Sequence, residues 1–180
     1  KITSRDAIFY VLAQFSGGVI GVFVVLFTLG SLFAEPPVRY VATLPGPTGI
    51  VLAFVAEAAI AMCMMLMVLF ATNSQRLMRY TGIFAGCLVA LYITFEAPIS
   101  GMSMNPARSF ASALPGGLWS SLWIYFTAPP LGMLLAVEAH RRIAGRGHQA
   151  CAKLIHSPNH RCIFCGHRME PAEPSTRTRA

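Results

Sequence analysis

Charge is scarce in this sequence. Asp, Glu, Lys and Arg together make up 12% of 180 residues, while 55% are hydrophobic and mean hydropathy is positive. A soluble domain carries roughly twice that charged fraction, about 25%. The apolar residues lie in long runs rather than scattered, which excludes an ordinary soluble fold and points to a membrane protein. Acidic residues are scarcer still, seven against fourteen basic ones. A net charge of +7 could suggest nucleic acid, but eight of the fourteen basic residues lie from Arg141 onward, beyond the last apolar run. No interleaving of aromatic and basic residues marks a base-stacking surface, so nucleic acid is not an expected partner. Also missing are an initial Met and a signal-peptide pattern.

What is present is four stretches that can each cross a bilayer: about residues 7–33, 49–71, 82–97 and 118–137. A spanning helix takes ~20 mostly apolar residues, and the third stretch is the shortest. Lys1 and Arg5 precede the first span, Arg76 and Arg79 separate the second from the third, and the basic tail follows the fourth. The opposite side carries Arg39 in a loop rich in Pro and Gly. Both ends of the chain are therefore expected on the cytoplasmic side. Two regions result: a membrane domain over 1–140 and a basic tail over 141–180.

Residues 98–117 hang between spans three and four, too short to cross and too apolar for an exposed loop. They contain SGMSMNPARSF, Ser100 to Phe110. An Arg at membrane depth is costly unless it faces water or a partner, so this stretch either lies outside the membrane or lines a wet pathway. A re-entrant segment fits best, because irregular backbone is tolerated at depth where it is buried in protein or lines a cavity. Asn105 reads as an N-cap, Pro106 as the first helical residue and 107–114 as a short helix. The helix N-terminus brings partial positive charge to the tip of the loop, beside the Asn105 amide and Arg108. Donors plus fixed positive charge suit a passage for neutral hydrogen-bonding solutes that repels protons and cations.

SGMSMNPARSF resembles the second Asn-Pro-Ala signature of the aquaporin (major intrinsic protein) family. The resemblance extends over residues 7–140. Tyr10 to Gly18 is similar to the family's third helix, Val55-Ala-Glu57-Ala to its fourth, and Trp123 to Gly132 to its sixth. The resemblance implies an all-α membrane bundle with a re-entrant half-helix, holding helices three to six. Helices one and two, and the first Asn-Pro-Ala half-helix, would lie upstream of Lys1. It implies a passive channel rather than an enzyme, a homotetramer in a plasma or inner cell membrane, and no required cofactor. Asn105, Pro106 and Ala107 take the signature role and Arg108 the filter role. The fifth-helix filter position falls on Ile93 and the loop filter position on Met102. Ile93 stands where water-selective members usually carry His, which favours a greasier filter passing glycerol-like solutes as well as water.

Other residues carry competing readings. Glu57, inside a span, is a functional candidate by position; the resemblance implies that it accepts backbone N–H groups of the re-entrant loop, against a proton relay. Gln14 is read as an interhelical hydrogen bonder, and Gly17, Gly18 and Gly21 as a small face permitting close helix approach. Met62, Met64, Met65 and Met67 are packing or lipid-facing material rather than a metal path. Cys63 and Cys87 are read as buried small apolar residues. The tail presents Cys151, His156, His160, Cys162, Cys165 and His167 within seventeen positions, the ligand types of a small zinc knuckle. The alternative is a basic tail with incidental thiols. It is not a haem attachment site, because Gly166 separates Cys165 from His167. Residues 169–180 read as disordered. Two further functions stay open: a membrane-anchored zinc or redox sensor acting through this tail, and an incomplete channel that does not conduct.

Overall fold

A computed structural model describes residues 3–74, 76–144 and Cys162. The described residues form helices α1 (Ser4–Leu29), α2 (Ser31–Ala34), α3 (Ile50–Thr72), α4 (Thr81–Phe95), α5 (Ala97–Ser100), α6 (Pro106–Ala113) and α7 (Leu122–Ala144). Short 3₁₀ turns lie at Arg39–Val41 and Met78–Tyr80, and no strand occurs among the described residues. Four helices, Ser4–Leu29, Ile50–Thr72, Met78–Phe95 and Leu122–Ile143, are long and apolar enough to cross a membrane. The described residues make an all-helical, multi-pass membrane bundle of the aquaporin-like kind.

The boundaries differ from the hydropathy reading where backbone chemistry intervenes. The first span does not run on to Phe33. It stops at Leu29, because Gly30 adopts φ 55°, where its amide caps the helix by donating to the Leu26 carbonyl. The fourth starts at Leu122 and extends past Val137, since Glu138 pairs with Arg142 at 2.8 Å one turn on and keeps the polar end helical.

The core sits between α3 and α7. Ala53, Ile124, Tyr125 and Ala128 are fully buried there, with Phe54 and Ala58 packed against them. A Cβ on Gly132 would run into the Ala58 carbonyl, so the missing side chain is what lets these two backbones approach. Pro129 and Pro130 lie inside α7, each removing one backbone bond, a loss membrane helices tolerate when neighbours cover it. On its other flanks α3 packs against α4 and α5, while α6 is held between α1 and α7.

Two expectations about packing are corrected. Of the three glycines on α1, Gly18 alone has a close neighbour, the Ala111 Cβ, 3.2 Å from where its own would stand; Gly17 and Gly21 face open space. Among the described residues α1 packs mainly on the eight-residue α6, which meets it over one short crossing. Cys63 and Cys87 are exposed rather than buried, since nothing among the described residues covers those faces of α3 and α4. Met62, Met64, Met65 and Met67 are half-buried along α3.

Candidate functional site: the re-entrant half-helix

The half-helix is built by its own first residues. Asn105 has extended dihedrals (φ −146°, ψ 114°), and its Oδ1 accepts from the Ala107 amide at 2.9 Å. Pro106 follows at the first helical position, where its fixed φ suits the turn and its missing N–H costs nothing. The helix stops at Ala113.

The loop that leads into it is strained. Gly101 (φ 86°), Met102 (φ 45°) and Met104 (φ 53°) all sit in the left-handed region. For the two methionines this costs about 1–2 kcal/mol each. Irregular backbone also leaves amides that a bilayer cannot satisfy. Both problems are answered from α3. The fully buried Glu57 accepts from the Ser100 hydroxyl at 2.8 Å and the Ser103 amide at 2.6 Å through Oε1, and from the Met104 amide at 2.9 Å through Oε2. Leaving three such buried donors unpaired would cost about 1–3 kcal/mol apiece, which outweighs the strain.

Hydroxyls complete the latch. Ser103 Oγ donates to the Asn105 carbonyl at 2.9 Å or shares its proton with Ser109 Oγ at 2.5 Å, and Ser109 also accepts from Thr43 at 2.7 Å. Ser100 Oγ receives the Met102 amide at 3.1 Å, and the Tyr125 hydroxyl donates to the Ser100 carbonyl. Thr43, Ser100, Ser103, Ser109 and Tyr125 were not singled out from sequence. The hydroxyls at 100, 103 and 109, three and six residues apart around the motif, were the available signal.

The candidate residues therefore separate. Asn105, Pro106 and Ala107 form the start of the half-helix, with Met102 (6% exposed) buried in the loop before it and Glu57 beneath. Arg108 is half-buried one turn in, its Nη1 buried without a hydrogen-bond partner. Ile93 is 58% exposed on α4, which packs on α3 and α5, so it is not brought into this hydrogen-bonded unit. Gln14 is likewise exposed on α1. A second carboxyl, Glu96 at the end of α4, is buried with neither oxygen hydrogen-bonded, and the Tyr92 hydroxyl is also buried without a hydrogen bond. Of the tail cluster, Cys162 is buried, while Cys151, His156, His160, Cys165 and His167 lie outside the described residues. No group of three or more His, Cys, Asp or Glu suited to a metal occurs among the described residues.

The sequence that builds this bundle is similar to known proteins. The family model of the major intrinsic proteins matches residues 1–140. The chain belongs to the major intrinsic protein family. It is 33% identical over 140 residues to aquaporin NIP1-4 of Oryza sativa subsp. japonica, covering 77% of this chain and 50% of that protein. Aquaporin NIP2-3 of Zea mays is 33% identical over 146 residues, 81% of this chain and 46% of its own length. Aquaporin NIP2-1 of Arabidopsis thaliana is 38% identical over 92 residues, 51% and 32% respectively. The chain thus spans half or less of the length of these curated relatives. In this major intrinsic protein the matched region is the membrane bundle, and the match ends within α7.

Proposed function

We propose that residues 1–140 form the channel domain of a passive, non-enzymatic membrane channel for water and small neutral solutes such as glycerol. The observation that carries this reading is the Asn105-capped half-helix held at membrane depth by Glu57. The positive end of its dipole, the Asn105 side-chain NH2 and Arg108 supply donors and positive potential, which favour neutral hydrogen-bonding solutes over protons and cations. Arg108, Ile93 and Met102 are the filter positions. An apolar Ile93 favours solutes with hydrocarbon surface. No cofactor takes part.

The working unit is a homotetramer in a plasma or inner cell membrane, with both ends of the chain cytoplasmic as the basic residues direct. Residues 141–180 are read as a basic tail, the first four of which continue α7. Zinc held by its Cys and His residues would be an addition to the channel, detectable as metal bound stoichiometrically to the purified protein.

The test is Asn105→Asp in protein reconstituted into liposomes. Putting a carboxylate where the amide donates should cut water and glycerol flux about tenfold, on the scale of losing one donor where the solute desolvates. Unchanged flux in well-inserted variant protein would sink the assignment.

A further inference from the structure

The connector between α1 and α3 has more structure than a surface loop requires. Arg39, Tyr40 and Val41 stand in succession at φ 43°, 60° and 50°, a left-handed turn made without glycine. Consecutive L-residues in that region persist only where the surroundings over-determine them, and such segments cluster at functional sites. Here the surroundings are the re-entrant segment. Thr43 donates to Ser109 at 2.7 Å, and the Gly46 amide donates to the Ile99 carbonyl at 2.8 Å. Gly101 lies so close that a Cβ there would come 2.8 Å from the Leu44 amide.

This clamp carries the Tyr40 ring to a defined place. The ring meets Phe33 edge-on, centroids 5.7 Å apart, and a Cβ on Gly116 would touch it at 3.0 Å. Tyr40 and Arg108 line one cavity of about 270 Å³. Phe33, Val22 and Val41 give that cavity an apolar wall, and Arg108 and Ser112 give it a polar one. Arg108 Nη1 is buried beside it without a partner. The space is several times the ≈ 30 Å³ a water molecule occupies in the liquid, so it admits a solute of several heavy atoms.

Resting on the channel reading above, we propose that Tyr40, held by the left-handed turn, is a specificity-determining residue that sizes the solute path against Arg108. The ring faces the carbon surface of a small polyol-like solute, while Arg108 takes its hydroxyls.

The experiment compares water, glycerol and a five-carbon polyol in liposomes carrying wild type, Tyr40→Leu, Tyr40→Ala or Gly116→Ala. Tyr40→Ala and Tyr40→Leu should raise the ratio of five-carbon polyol to water permeability, the former by about tenfold, the discrimination that a small change of fit in a pocket gains or loses. Gly116→Ala leaves Tyr40 in place but presses its ring from behind, and should lower the glycerol-to-water ratio. If wild type conducts and the variants scale every permeability alike, or leave the ratios unchanged, Tyr40 is only a strut and the proposal is overturned. If wild-type protein passes none of the probes, the channel reading itself falls, and this inference with it.

Discussion

Two helices of similar apolar character behave in opposite ways. α1, with 26 residues, buries none of them; α3, with 23, buries Ala53, Glu57, Ile60, Ala61, Ala71 and Thr72. Phe27 on α1 is 86% exposed, whereas Ala53 on α3 is wholly enclosed. In water such exposure would be a fault. In a bilayer the tails are as apolar as the side chains, so hydrophobicity places a helix across the membrane without telling it what to pack against. What recruits neighbours to α3 is its one carboxyl group and the small residues along it. Glu57 collects the re-entrant loop, and Ala58 receives α7 at Gly132. α1 touches the half-helix where Gly18 lies against Ala107 and Ala111 and where the Phe15 and Phe110 rings meet, centroids 5.4 Å apart.

That contrast is easiest to break at Glu57. Glu57→Leu should lower stability by about 3 kcal/mol or more, because the loop donors lose their acceptor in a medium that offers no other. Thermal unfolding in detergent would read the loss, and solute flux should vanish with it. A Glu57→Leu protein as stable as wild type would mean that the loop finds partners elsewhere.

The glycines provide the next test. Gly132→Ala should destabilise by about 1–3 kcal/mol, since its Cβ has no room against the Ala58 carbonyl. Gly17→Ala on α1 meets open space and should be neutral or stabilising, by up to about 1 kcal/mol from helix propensity. Equal shifts in the unfolding midpoint would contradict the packing difference.

Ser109→Ala is a finer probe. It removes the acceptor of Thr43 and the partner of Ser103, for an expected loss of about 1–2 kcal/mol. Glycerol flux should become leakier as the half-helix loosens, and an unaltered unfolding midpoint would show the hydroxyl network to be dispensable. The smallest effect is expected at Gln14→Leu on exposed α1, within about 0.5 kcal/mol. A larger loss would mean that a further helix covers that face in the assembled protein.

How much of this was legible beforehand depends on the range of the interaction involved. The short helix after Asn105 could be read directly, because a cap and a following Pro act within one turn. Where α1 ends was not, since Gly30 lies inside an apolar run and only its φ of 55° marks the stop. The clamp of the connector onto the half-helix was invisible too. Thr43 and Ser109 are 66 residues apart, and a lone Thr in a Pro-rich loop carries no signal of its destination.

The sequence by itself determined that this chain crosses a membrane, roughly where it does so, and that an Asn-Pro start caps a short helix between two crossings. Those outcomes follow from transfer free energies summed over ~20 residues and from bonds to near neighbours, and neither depends on what else is nearby. The tertiary structure alone decided that Glu57 holds Ser100, Ser103 and Met104, 43 to 47 residues away, and that among the described residues the core gathers on α3 rather than on α1. Inside lipid each buried amide must find an acceptor within the protein, and which acceptor it finds is settled only when the helices have come together.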